Sequence, residues 1–266
     1  MQNGAIGIFD SGVGGLSVLK EVAALLPRER VCYAADTAHC PYGARAAQEV
    51  RELSLRMVDF LLREKACKIV VAACNTATAA AIDELRKMFP HVPFVGMEPA
   101  VKPAAEQSKT RNIGILATAG TLQGQLFNQT KARYAAGVNV HVAVGEGLVE
   151  LVEQGRENSR EALELLQKYL QPMLNHSVDE LVLGCTHYPF LQKSIEKITR
   201  GRMVIVNPAP AVAAQTKRLL EQRNLLCNST LPFYEFYSTG SAQVLQRMQE
   251  KYLPELAGKT CYSVLS

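Results

Sequence analysis

The run Ile6-Gly7-Ile8-Phe9-Asp10-Ser11 returns as Ile113-Gly114-Ile115-Leu116-Ala117-Thr118, at an offset of 107 residues (113 minus 6). A second pair stands at nearly the same spacing. Ile69-Val70-Val71-Ala72-Ala73-Cys74-Asn75-Thr76 is echoed by Leu181-Val182-Leu183-Gly184-Cys185-Thr186-His187, with the two cysteines 111 residues apart (185 minus 74). Each copy is a short apolar run, the pattern of a buried strand, and each ends in a polar cluster. Two matched pairs at nearly one offset predict a duplicated chain whose halves present corresponding loops at the carboxyl ends of parallel strands.

Further strand-like runs at 31–34, 94–97, 138–144, 203–206 and 233–238 alternate with helical patterns. Val50, Leu53, Met57, Phe60, Leu61 and Glu64 trace an amphipathic helix that lays its apolar face on a sheet, and 160–174 and 242–251 read as two more helices. Prolines gather at Pro93, Pro99 and Pro103 and again at Pro208 and Pro210. Chain crossings at those two places predict a discontinuous first domain, 1–98 plus 207–266, and a second domain, 99–206. The expected fold class is α/β, with two pseudo-symmetric α/β domains, mainly parallel sheets and an active-site cleft between them.

The 266 residues are 48% hydrophobic and 20% charged, which excludes a disulfide-stapled miniature and a disordered chain. Basic side chains number 29 and acidic ones 25, a net charge of +4, and they are interspersed. With no basic block there is no footprint for nucleic acid or an anionic membrane surface. The apolar stretch 69–82 is interrupted by Asn75, Thr76 and Thr78 and is too short to span a bilayer. Residues 1–10 lack the basic-then-apolar order of a secretory signal, so the expected compartment is the cytoplasm. The seven cysteines form no Cys-x-x-Cys pair and no zinc spacing, so no metal is expected and they are read as thiols.

Ligands of open parallel sheets sit at the carboxyl ends of strands, where helix N-terminal amides favour anions and thiolates. Cys74 and Cys185 fall there in both halves, each followed closely by hydroxyl residues. Any one cysteine is more often a packing residue; the repeat singles out this pair. Asp10-Ser11-Gly12-Val13-Gly14-Gly15 opens a helix and reads as a tight turn or an anion-binding nest of amides. It is neither Gly-x-Gly-x-x-Gly nor a P-loop. Asp36 and Pro41-Tyr42-Gly43 supply another loop after a strand, and Thr118 with Thr121 stands in the second half where Ser11 stands in the first. Two thiols facing one cleft can take a proton from one face of a carbon acid and return one to the other, which is racemisation without a cofactor.

Phe9-Asp-Ser-Gly-Val-Gly-Gly15, Pro41-Tyr-Gly43, Ala73-Cys-Asn-Thr-Ala77 and Gly184-Cys-Thr-His-Tyr-Pro-Phe-Leu191 together resemble the signature segments of glutamate racemases, over nearly the whole chain. The resemblance implies interconversion of L- and D-glutamate without PLP or metal, supplying D-glutamate for peptidoglycan, by a homodimer. By matching position, Cys74 would act on the D-enantiomer with help from Asp10, and Cys185 on the L-enantiomer with help from His187. Ser11, Pro41, Tyr42, Gly43, Asn75, Thr76, Thr118, Thr121 and Thr186, with Asp10 and His187, would hold the substrate. Glu153 is the better match for an auxiliary catalytic glutamate, with Glu150 its competitor. The pattern departs from the family at Val144-Gly145-Glu146, where Cys-Pro is common, and at Val206-Asn207-Pro208, where an aspartate is more usual. Cys40 is expected to be a bystander beside the Tyr42 loop. The alternatives are a two-cysteine racemase of the same superfamily acting on aspartate or a hydantoin, and a non-catalytic amino-acid-binding protein, which would need neither thiol.

Overall fold

The computed structural model describes residues 4–227, 232–256 and 260–264. Strands β1 (Ile6–Asp10), β2 (Val31–Ala35), β3 (Ile69–Ala72), β4 (Phe94–Gly96), β5 (Asn112–Ala117), β6 (Asn139–Val144), β7 (Glu180–Gly184), β8 (Val204–Val206), β9 (Tyr234–Ser238) and β10 (Thr260–Val264) form two sheets. The first has the order β10-β9-β2-β1-β3-β4 and the second β6-β5-β7-β8. Every pairing is parallel. The four-strand order β2-β1-β3-β4 is therefore built twice, with β5 in the place of β1 and β7 in the place of β3. Those are the four strands of the sequence echoes.

Helices α1 (Leu16–Leu25), α2 (Ala47–Asp59), α3 (Asn75–Met88), α4 (Val101–Gln107), α5 (Ala119–Gln123), α6 (Gln125–Tyr134), α7 (Leu148–Glu153), α8 (Arg160–Asn175), α9 (Gln192–Thr199), α10 (Ala209–Gln222) and α11 (Ala242–Tyr252) cover the sheets. The starts of α3, α5, α8 and α11 carry side-chain caps, from Cys74, Thr118, Ser159 and Ser241 in turn. Such caps satisfy amides that the helix itself leaves unpaired. One apolar core runs through both sheets, joining Val13, Leu16 and Leu19 to Leu148, Val152, Tyr188 and Leu220. No helix among the described residues is long and apolar enough to cross a membrane.

The predicted strands lie within a residue or so of those observed. Two features differ. The helix read through Glu64 ends at Asp59 and widens into a π-helical turn, Phe60–Glu64, in which the Lys65 amide donates to the Phe60 carbonyl at 3.3 Å. Strand β10, at the edge of the first sheet, was not anticipated.

A buried ion pair ties the entrances of β2 and β3. Lys68 Nζ lies 2.6 Å from Glu29 Oε2, both side chains at most 2% exposed, and Glu29 Oε1 accepts the Cys227 amide at 2.8 Å. Removing one partner leaves the other charge buried, which typically costs about 3–5 kcal/mol. Lys68→Met should lose stability on that scale in urea unfolding. A loss below about 1 kcal/mol, the range of exposed pairs, would contradict this reading.

Candidate active site

The carboxyl ends of β1, β3, β5 and β7 deliver, in turn, Asp10 with Ser11, Cys74 with Asn75 and Thr76, Thr118 with Thr121, and Cys185 with Thr186 and His187. Cys74 caps α3: its backbone is extended (φ −64°, ψ 122°) and its Sγ accepts the Ala77 amide at 3.4 Å. Its thiol lies 3.8 Å from Ser11 Oγ. Burial pushes this thiol up to about 12, with the nearby charges of Asp10 and Cys185 adding to the rise; the Ala77 amide and Ser11 oppose it. Its resting form is therefore the protonated one.

Cys185 is equally buried, with Sγ 3.8 Å from His187 Nδ1. The opposite ring nitrogen, Nε2, is 2.6 Å from Glu153 Oε1, which also accepts the Val13 amide at 2.8 Å. Burial works against a charged imidazole, yet the hydrogen bonds to Cys185, Cys40 and Glu153 outweigh it and hold His187 well above the ordinary histidine range. Burial likewise disfavours the Glu153 carboxylate, and here the bonds from His187, Val13 and Cys40 win, lowering it. The pair is an imidazolium and a carboxylate at neutral pH. Glu150, one turn earlier on α7, is exposed.

Asp10 is fully buried between the two thiol-bearing loops. Its Oδ1 accepts the Gly12 amide and its Oδ2 the Thr186 hydroxyl, both at 3.0 Å. Burial raises its carboxyl even so, against the His187 charge and those two bonds. Of the two readings of the Gly12–Gly15 run, a tight turn or an anion-binding nest, the start of the run is closer to the first. The Gly12 and Val13 amides are taken by the chain's own carboxylates, Asp10 and Glu153, because both side chains turn back onto the loop. The glycines matter for closeness: a Cβ on Gly12 would stand 2.0 Å from Glu153 Oε1, and one on Gly14 would stand 2.3 Å from His187 Nδ1.

On the other side of Cys74, the hydroxyls of Thr76, Thr118 and Thr121 form a triangle with edges of 2.8, 2.9 and 3.3 Å. The Gly120 amide donates to the Gly43 carbonyl at 3.0 Å, so the Pro41-Tyr42-Gly43 loop docks on α5. Tyr42 is buried and donates to Asp36 Oδ2 at 2.6 Å; Asp36 Oδ1 takes the Thr239 hydroxyl at 2.6 Å and sits 2.8 Å from His39 Nδ1. Pro41 follows a cis peptide bond. Asn75 stands apart. Its side-chain oxygen and nitrogen are both buried and neither has a hydrogen-bond partner. Buried amides are nearly always paired, so these atoms point to a polar ligand beside Cys74.

The structure thus gathers the predicted residues into one region. The sequence reading named Asp36 only as part of a loop and Cys40 only as a bystander; it did not foresee that Asp36, with His39 and Thr239, stands behind Tyr42, or that Val13 and Cys40 meet Glu153. Asp36 stands just after β2 as Asp10 stands at the end of β1, which was the available signal.

The family model described as Asp/Glu/Hydantoin racemase matches residues 6–216. The chain belongs to the Asp/Glu/Hydantoin racemase family. Within reach of this family's racemases, the chain is 44% identical over 254 residues to a glutamate racemase of Ectopseudomonas mendocina, covering 96% of this chain and 95% of that protein. Its fold is similar to the crystal structure of a glutamate racemase isoform from Bacillus anthracis, with a TM-score of 0.89 and 30% identity over 100% of this chain and 98% of that one. The glutamate racemase of Escherichia coli, solved with L-glutamate and the activator UDP-MurNAc-ala, aligns with a TM-score of 0.85 and 29% identity, covering 99% of this chain and 98% of that one. In this member of the family two buried thiols stand at repeated strand ends, Cys74 near Ser11 and Cys185 near His187.

Proposed function

We propose that this chain interconverts L- and D-glutamate, with Cys185 removing the Cα proton of the L-enantiomer while Cys74 supplies one to the opposite face, and the reverse for the D-enantiomer. The observation that carries the reading is the pair of buried thiols at corresponding strand ends, each with its assistant: Asp10 toward Cys74 and His187, 3.8 Å away, on Cys185. Glutamate as substrate is supported by the relatives, which are glutamate racemases.

The two sides differ in resting state. Cys74 is held as a thiol, ready to donate. The His187 imidazolium places positive charge beside the sulfur that must carry negative charge when Cys185 acts as the base. In the opposite direction Cys74 must lose its proton first, and Asp10, with its carboxyl raised by burial, is suited to take it. The unpaired amide of Asn75 and the hydroxyls of Ser11, Thr76, Thr118, Thr121 and Thr186 would bind the substrate's polar groups, with Pro41, Tyr42 and Gly43 forming the wall opposite α5. Glu153 orients His187. Residues 1–98 plus 207–266 and residues 99–206 would be the two domains that enclose the substrate. A cytoplasmic homodimer supplying D-glutamate for peptidoglycan completes the proposal.

The test is turnover of both enantiomers of glutamate and of aspartate in D₂O. Deuterium is expected at Cα of the enantiomer formed from glutamate, since thiol protons exchange with solvent. Faster turnover of aspartate, or inversion with full retention of the original hydrogen, would overturn the assignment.

A further inference from the structure

We propose that Cys40, Glu153 and His187 form a binding site for a soft divalent cation of the zinc class, and that its occupation reversibly stops racemisation. No sequence spacing announces it, because the three donors come from the loop after β2, the end of α7 and the loop after β7. Their ligand atoms nonetheless all lie within 4.8 Å of one another.

The donor set is that of a zinc site with three protein ligands and a fourth position left for water. At ordinary zinc bond lengths, tetrahedral ligands stand roughly 3.4–3.6 Å apart. Cys40 Sγ is already 3.5 Å from Glu153 Oε1. The His187–Glu153 separation, 2.6 Å, must widen by about 0.8 Å, which a small rotation of the Glu153 carboxylate provides. On binding, the cation replaces two protons: the Cys40 thiol and the His187 ring each release one to solvent, leaving thiolate and neutral imidazole as ligands.

A route in exists that bypasses the catalytic thiols. A cavity of about 350 Å³ opens on Cys40 and Glu153 between Pro41, Val149 and Ser241; Glu150 and Glu153 contribute its charges, and no basic residue is among the described residues that line it. Cys40 is itself partly exposed. A cation held there takes the His187 nitrogen that now meets Glu153 and so fixes the ring whose other nitrogen stands 3.8 Å from the Cys185 sulfur.

The metal-binding half of this inference is independent of the racemase assignment; the inhibition half rests on it. Chelator-stripped protein titrated with Co²⁺ is expected to bind one ion per chain and to show a thiolate-to-cobalt charge-transfer band that Zn²⁺ displaces. Zn²⁺ should stop glutamate racemisation and EDTA should restore it. Cys40→Ser should keep its thermal unfolding midpoint, lose the charge-transfer band, and need roughly 100-fold more Zn²⁺ to halve its own racemisation rate, since even outer-shell changes cost about 10–100-fold in metal affinity. Cys74→Ser should keep the band. Absence of binding to the wild type, or a band that survives Cys40→Ser and vanishes in Cys74→Ser, overturns the site.

Discussion

Cys74→Ala and Cys185→Ala will each lower glutamate racemisation by about 10³–10⁴-fold, the upper range for loss of a positioned acid or base. Inversion needs a proton acceptor on one face of Cα and a donor on the other, so neither thiol can replace its counterpart. The neighbours cannot substitute either. Ser11 Oγ, 3.8 Å from the Cys74 sulfur, is far too weak an acid, and in this scheme Asp10 exchanges its proton with Cys74 and not with Cα. Folding should survive both changes: Cys74→Ala removes one cap bond from the Ala77 amide, worth about 1 kcal/mol. The two variants should also differ from each other. Residual deuterium exchange at Cα is expected only with D-glutamate in Cys185→Ala and only with L-glutamate in Cys74→Ala. Near wild-type turnover in either variant, with circular dichroism unchanged, would end the two-thiol scheme.

The duplication was legible because a buried parallel strand is nearly uninterrupted apolar sequence, and because Cys74 and Cys185 fall at the same step after it. The order β2-β1-β3-β4 and its repeat around β5 were not read from the sequence; the sheets supply them. The choice between Glu150 and Glu153 was not legible from periodicity. Residues three apart share one helical face, so only the docking of α7 on the Gly12–Val13 loop separates an exposed carboxylate from one that meets His187. The π-helical turn was hidden for a similar reason: Leu61 stays buried whether the last turn is α or π. Strand β10 pairs on one side only, with β9, and an edge position asks little of its sequence. The Cys40–Glu153 contact spans 113 residues and is a product of tertiary packing alone.

Glu153→Gln tests whether charge on His187 matters to catalysis. In the folded protein Glu153 sits below its ordinary value of about 4.3 and His187 well above its ordinary value of about 6.5. The Glu153 contribution to stability is therefore present above about pH 4.3 and fades as pH falls through its lowered value; that of His187 is present below about pH 6.5 and fades as pH rises through its raised value. Between those limits the pair stays charged. A glutamine keeps much of the shape but removes the carboxylate, so burial, the strongest influence on His187 and one that favours the neutral ring, meets less opposition. The imidazole should then lose its proton at a lower pH. In the L-to-D direction kcat should fall about 10²-fold at neutral pH, with KM little changed, because Glu153 acts through His187 and the substrate's binding groups remain. The alkaline limb of the kcat profile should move to lower pH, a displacement that a purely structural defect would not produce. An unmoved alkaline limb alongside reduced kcat would mean that Glu153 positions the histidine without setting its charge, and the proton inventory on the Cys185 side would have to be drawn without an imidazolium.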